Sequence, residues 1–476
     1  MSERLVFGYG TRTSGEPPAL SAPPGPPAAT ADAPPAPAAL RERRDWAFVG
    51  LLAFTALLYF RPQDIFRPLV VLRLPELAAI FALAALFLGR LQRGLTVTRL
   101  TPELIGVLAL GMVILLTAPF SIWMGGAVNT FTGMYVKVVL IFILMVNTLT
   151  SPKRVERLTW LIVIASGFIA ARSVFDYARG VNLVEYGRVV GSVGGMFRNP
   201  NDLALNMVVA LPLCLGFLLR PGSRFRKAVA LGCAVAILGA IIASHSRSGT
   251  VGLAVMMAVL AWQLLRRRPA LVVAGALGLL LAAPLLPSAY WTRMASITDS
   301  SLDDTGSREA RSQLLVEAWE AFVSDPLTGV GAGQFRNYDP GGREQAWRET
   351  HNVVLQVTAE LGIFGLLAFG YLLVRGARAP GDARRLLRTA AKSPDGSVVT
   401  REEQQFLDVH AMMILASFAG WFACAFFASV AYHWTLYYVL GLAVVPRELL
   451  RDRLALHQPV SRRHAAVRPL AAGARA

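Results

Sequence analysis

The chain has 476 residues, 54% of them hydrophobic and only 16% charged, with a formal charge of +17. Mean hydropathy is +0.49, and apolar runs close to the roughly 20 residues that a membrane helix needs recur along the chain, which excludes the ordinary soluble classes. Outer-membrane barrels are excluded by the lack of short alternating strands, and the positive charge is read as Lys and Arg held in cytoplasmic loops rather than as a nucleic-acid footprint.

Residues 1–45 are rich in Pro and Ala and end in the basic run RERRD. Such a segment cannot bury enough apolar surface to fold. It is read as a disordered cytoplasmic tail, and not as a signal peptide, because no apolar stretch follows the first residues.

Twelve spans are predicted, at about 46–60, 68–88, 103–120, 134–149, 158–178, 203–219, 228–244, 249–265, 270–287, 352–374, 409–430 and 433–450. The fold expected is thus an all-α polytopic membrane protein of about 12 transmembrane helices. Nine fall in 46–287 and three in 352–450, the latter enclosing a cytoplasmic loop at 375–408 and followed by a basic cytoplasmic tail at 451–476. The even-numbered connections carry the basic clusters, such as Arg90, Arg93 and Arg99, Lys153, Arg154 and Arg157, and Arg266, Arg267 and Arg268. That asymmetry sets both termini inside the cell. The three cysteines, Cys214, Cys233 and Cys424, all lie in apolar spans. They read as small buried hydrophobes, with no metal-ligand spacing and no disulfide framework. No metal and no cofactor is expected.

This topology puts one large loop, 288–351, outside the cytoplasm. It holds six Arg and ten Asp or Glu, so it is acidic within a basic chain. The RPQD turn at 61–64, the 179–202 loop and the Ser244–Gly249 turn fall on the same side. ATP and nucleotide sugars are cytoplasmic, so chemistry at this face requires a substrate that arrives already activated.

Several polar residues on that face stand out. Arg247 lies in a very short turn between two apolar spans, where an arginine needs an anionic partner or must snorkel to the interface. In FRNPNDLA, Asn199-Pro200-Asn201-Asp202 is a helix N-cap signal, but Arg198 has no part in capping. Arg61, Asp64 and Arg67 fit interfacial anchors. His245 reads as a bystander. In the large loop, Arg308, Arg311 and Leu315 are spaced i, i+3, i+7 on one face of an amphipathic helix. The turn Pro326-Leu-Thr-Gly-Val-Gly331 follows, with glycines that permit close backbone approach. The loop then closes on His351 at the start of a span, in which Gly362 and Gly365 are expected to let helices pack closely. Arginines at an outer face without a metal cluster suit phosphate groups. A polyprenyl pyrophosphate sugar presents two phosphates at that interface and leaves as an anion that Arg311, Arg247 and Arg198 could neutralise. A neutral histidine could take the proton from an acceptor hydroxyl, and one in-line transfer would invert the anomeric centre.

In this order the motifs resemble those of the O-antigen ligase and polymerase superfamily. The resemblance rests on His351-Asn352, nine residues, then Gly362-x-x-Gly365; on Arg311 with the Pro326-Leu-x-Gly-x-Gly331 turn; and on Ser246-Arg247-Ser248-Gly249 and FRNPNDLA, over about 195–375. The tryptophan often found four residues after the arginine is Leu315 here, with Trp319 one turn on. The spacing to Pro326 selects Arg311 over Arg308 as the matching residue. The resemblance implies a metal-independent, inverting glycosyltransferase with a GT-C-like fold in the bacterial inner membrane. Its donor would be an undecaprenyl-pyrophosphate-linked glycan, and its acceptor a glycan or lipid A–core at the periplasmic face. His351 would be the catalytic base or acceptor activator. Arg311, Arg247, Arg198 and Arg308 would hold the pyrophosphate. Membrane lipid and other polysaccharide-assembly proteins are the partners implied. A protein O-oligosaccharyltransferase shares these motifs. A transporter of lipid-linked sugars would place its charges near mid-membrane, whereas here they gather at one face.

Overall fold

The structure is a computed structural model that describes residues 45–297, 299, 307–339, 341, 349–392 and 398–457. It is almost wholly helical. In chain order the helices are α1 (Trp46–Phe60), α2 (Pro62–Ile65), α3 (Leu74–Leu91), α4 (Pro102–Thr117), α5 (Met124–Thr130), α6 (Val136–Thr148), α7 (Pro152–Ala178), α8 (Pro200–Leu219), α9 (Arg224–Ala243), α10 (Arg247–Leu265), α11 (Pro269–Ala282), α12 (Ser288–Ala295), α13 (Ser307–Ser324), α14 (Val353–Ala391), α15 (Arg401–Ala425) and α16 (Trp434–Leu456). The only sheet among the described residues is a two-stranded antiparallel ribbon, β1 (Leu183–Val184) with β2 (Arg188–Val189), in the register Leu183 to Val189 and Val184 to Arg188.

Many helix starts follow local chemistry. Thr101, Ser151, Asn199, Ser223, Ser246, Asn352 and Thr400 each cap a helix by accepting a backbone N–H through the side chain. Proline follows directly at 102, 152 and 200, where its missing N–H is not needed. At Thr400 the cap is reciprocal, because Glu403 reaches back to the Thr400 backbone N–H.

Among the described residues nine helices are long and apolar enough to cross a membrane, or ten if α11 and α12, bent by 105°, count as one broken span. The expectation of twelve is not met in full. At 15 residues, α1 spans only about 22 Å at 1.5 Å per residue, short of the roughly 30 Å hydrocarbon core. α16 carries Arg447, Glu448, Arg451, Asp452 and Arg453 in its second half. Helix α14 also runs 17 residues past the expected boundary at 374, to Ala391, so much of the expected 375–408 loop is helix.

α8 is the most enclosed span, with 72% of its apolar window buried, and it packs against α7, α9, α10 and α15. α14 packs against α4, α15 and α16. Beneath them, Glu103 at the start of α4 is fully buried and accepts two hydrogen bonds from Arg447 of α16, at 2.8 and 2.5 Å, while Arg375 of α14 stands 3.4 Å away. A bidentate pair of this kind fixes three helices at one end of the bundle.

At the other end α14 is broken. Gly362 takes φ 61 and ψ −158, a region essentially reserved for glycine. The backbone groups released at the break are not left bare. Val330 N–H donates to Ala359 O at 2.9 Å, Gly331 N–H to Glu360 O at 2.9 Å, and Ile363 N–H to Pro326 O at 2.8 Å. The Pro326–Gly331 turn and the Gly362-x-x-Gly365 element are therefore partners of each other. Gly362 was expected to let helices approach closely; it serves instead as the break on which the turn docks. A Cβ there would lie 2.5 Å from the Leu327 backbone. Gly362→Ala should accordingly destabilise the detergent-solubilised protein by at least about 1–3 kcal/mol in thermal unfolding, whereas Gly370→Ala, in the same helix with nothing within 4 Å of its added Cβ, should be neutral or slightly stabilising.

Candidate active site

The Ser244–Ser248 turn joins α9 to α10. His245 turns the chain with φ 45, and Ser246 then caps α10. The Ser246 hydroxyl donates to Asn201 Oδ1 at 2.8 Å, and Arg188 Nη2 donates to the same oxygen at 2.8 Å. Arg188 Nε also donates to the Ser244 carbonyl at 3.2 Å. The β1–β2 ribbon, the cap of α8 and the Ser244–Ser248 turn are thus knitted around one amide. Arg247, the first residue of α10, donates to the Ser296 hydroxyl at 3.2 Å, and the Thr250 and Tyr290 hydroxyls stand 3.0 Å apart. These contacts hold α12 across the start of α10. His245 is buried, with Tyr177 Oη 3.3 Å from its Nε2 and the Tyr290 ring beside it. Burial, then the charges of Arg188 and Arg293, push its pKa below the ordinary histidine value.

On the far side stands α13. Leu314, Ala318 and Ala321 pack with Val330, Phe335 and Ala359 in a small apolar cluster, so the turn docked at Gly362 also fixes α13. Arg311 and Ser312 then face the start of α14. There His351 adopts φ 49, costly for a residue with a side chain. Two devices hold it. Its N–H donates to Ser429 Oγ at 3.0 Å, and Asn352 Oδ1 accepts from the N–H groups of Val354 and Leu355.

Together these elements enclose a cavity of about 300 Å³. Arg247, Ser248, Ser296, Arg311, His351 and Asn352 form its polar part, and Val251, Ile297, Leu315, Phe426 and Phe427 its apolar part. Arg247, Arg311 and His351, each half-buried and more than 100 residues apart at the extremes, line the same space. The N-termini of α10 and α14 both border it, adding the positive ends of two helix dipoles. Among the described residues no group of three or more His, Cys, Asp or Glu could hold a metal ion.

The cavity is more cationic than its lining alone indicates. The Arg188 pKa is pushed down to about 10, first by burial and then by the charges of Arg293, Arg311 and Arg247. Three guanidinium groups close enough to disfavour the charge of a fourth, Arg188, make a region suited to an anion. Arg188 and Arg293 were not singled out from sequence. The loop holding Arg188 was, but the arginine chosen there was Arg198. The structure does not bring Arg198 to this cavity: it is exposed, and its charge acts on Asp64 instead. The side chain of Arg308 lies outside the described residues. Ser429, which anchors His351 from 78 positions away, gave no sequence signal.

An anion should therefore stabilise the protein. Inorganic diphosphate at a hundredfold excess over its Kd should add about 2.7 kcal/mol to thermal stability, and Arg188→Gln, Arg247→Ala and Arg311→Ala should each reduce that gain, as read by melting with increasing diphosphate. Acidification should weaken the Ser244–Ser248 turn: a histidine whose folded pKa is depressed loses stability as pH falls through the unfolded value near 6.5. His245→Phe should flatten this acid limb of a melting-temperature profile.

Residues 205–370 match the family model described as O-antigen ligase. The match includes Arg247, Arg311 and His351 and leaves Arg188 and Arg198 outside. No curated protein matches the chain.

Proposed function

We propose a specific reaction for this chain, which through residues 205–370 belongs to the O-antigen ligase and polymerase superfamily and so to surface polysaccharide synthesis: transfer of a glycan from an undecaprenyl-pyrophosphate donor to a hydroxyl of a lipid-linked glycan or lipid A–core, at the periplasmic face of the bacterial inner membrane. The observation that carries this reading is the convergence of Arg247, Arg311 and His351 on one cavity with an apolar half.

In this reading the donor diphosphate sits between Arg247 and Arg311, at the N-terminus of α10, and the first isoprene units lie along Val251, Leu315, Phe426 and Phe427. The acceptor hydroxyl approaches the anomeric carbon opposite the diphosphate. As the new bond from carbon to acceptor oxygen forms, the bond from carbon to phosphate oxygen breaks, and its electron pair leaves with the diphosphate. His351 takes the acceptor proton. Attack opposite the leaving group inverts the anomeric centre. The diphosphate gains charge as it leaves, so guanidinium groups fixed around it stabilise the transition state more than the ground state. The crowding of Arg188 and Arg293 behind Arg247 and Arg311 raises that field, and needs no metal ion to do so.

Loss of the base should lower turnover by about 10²- to 10⁴-fold, and loss of one phosphate-binding arginine by about 10²- to 10³-fold. His351→Ala and Arg311→Ala, purified and assayed with lipid-linked repeat units, should each lose long-chain product while still inserting in the membrane; full activity in both variants would sink the assignment. With wild-type protein, chain growth from repeat units alone marks a polymerase, and growth only after lipid A–core is added marks a ligase. The topology has its own test. Gly341→Cys should react with a membrane-impermeant thiol reagent applied from the periplasmic side, and its protection there would reverse the orientation.

A further inference from the structure

A second, larger cavity of about 580 Å³ shares no lining residue with the first. It opens at the same end of the bundle. Asp64, which lines it, accepts a hydrogen bond from Gly194 N–H at 2.8 Å, and Gly194 belongs to the 179–202 loop that also carries Arg188. Its walls come from α1, α3, α6 and the start of α16, with Phe54, Leu58, Leu83, Leu140, Ile141 and Trp434 among the apolar lining. Ile80 also lines it and is 63% exposed, so one wall opens outward along the apolar face of α3.

The polar and charged lining comes from Arg61, Gln63, Asp64, Arg73, Glu76 and Lys137. Arg61, Arg73 and Lys137 supply three cations, against Asp64 and Glu76. Asp64 is already engaged, by Arg61 at 2.6 Å and by Gly194 N–H. Arg73 precedes α3 with φ 43, and its guanidinium makes no hydrogen bond or ion pair with a described residue. Lys137 is the unexpected member. It sits in the apolar run VKVVLIFILMV, near the middle of the Met124–Thr148 span, where an ammonium group is costly and marks a function by default. One turn of π-helix, Phe131–Tyr135, immediately precedes it, and Gly133 and Met134 of that turn line the cavity. Such bulges are rare and concentrate at functional sites. The partner of Lys137, Glu76, is 3.3 Å away, and both side chains are 43% exposed. A pair so open contributes little, and a phosphate can take the ammonium from it.

A cationic rim over hydrocarbon walls fits a lipid that carries phosphate at its head. The two cavities lie at one end of the bundle, which is what joining two lipid-borne substrates would require. Building on the transfer reaction proposed above, we propose that this second cavity holds the phosphate-bearing lipid anchor of the acceptor, through Arg73 and Lys137, while the donor occupies the cavity of His351.

The test uses the full-length protein in phosphatidylcholine nanodiscs with geranylgeranyl diphosphate as probe, its stoichiometry read by native mass spectrometry. Wild type should bind two equivalents. The Arg73→Ala/Lys137→Ala variant should keep the one that Arg247→Ala/Arg311→Ala loses, and the reverse. Two equivalents retained in Arg73→Ala/Lys137→Ala would overturn the second site. Displacement of its equivalent by a few mole per cent of phosphatidylglycerol would also overturn it, by showing an ordinary phospholipid niche. A wild type that binds a single equivalent, lost only with Arg73 and Lys137, would instead sink the donor reading and leave this site standing. In turnover, Lys137→Ala should raise the acceptor KM about tenfold with kcat and donor KM unchanged, and Lys137→Arg should restore it. An unchanged acceptor KM would remove the acceptor role.

Discussion

Where α14 breaks at Gly362, two carbonyls and one N–H lose their helical partners, and the Pro326–Gly331 turn takes all three. Buried backbone groups must be paired, so the break and the turn stand or fall together. The rest of the site is hung on that junction. The turn sets the end of α13, which carries Arg311. The short first segment of α14 carries Asn352 and, before it, His351. Inside the junction the Glu360 carboxylate accepts from Tyr432 Oη at 2.9 Å, and Tyr432 belongs to the segment whose Ser429 holds the His351 backbone. One broken helix therefore brings an arginine and a histidine, 40 positions apart in sequence, to the same cavity.

The arginines of this protein fall into two regimes. Arg447 is fully buried and makes a bidentate pair with Glu103; its charge is satisfied within the chain, and it fastens α4 to α16. Arg188 lies instead close enough to Arg293, Arg311 and Arg247 for their charges to lower its pKa. The first arrangement holds helices together. The second disfavours the charge of Arg188, a cost that a bound anion would relieve. Two further arginines, Arg61 and Arg73, line the second cavity with Lys137, and there Arg61 and Lys137 are paired with Asp64 and Glu76.

Much of this was legible in the residues themselves. Hydropathy determined an all-α membrane protein, and the Asn199 cap marked where α8 begins, because both signals act within one or two turns. The motifs around Arg247, Arg311 and His351 also stood out, since polar residues at the ends of apolar spans are few. The tertiary structure decided the rest. It bonded the Arg188 guanidinium to Asn201 and the Ser244 carbonyl and left Arg198 exposed. It turned Gly362 from a packing glycine into a break, because the groups that satisfy the break come from a turn more than 30 residues away. It carried α14 on to Ala391 and placed Lys137 in a cavity built by helices far apart in sequence. Short-range pattern says which segments are helices and which residues are unusual. Which unusual residues meet is set by long-range packing, to which no local period corresponds.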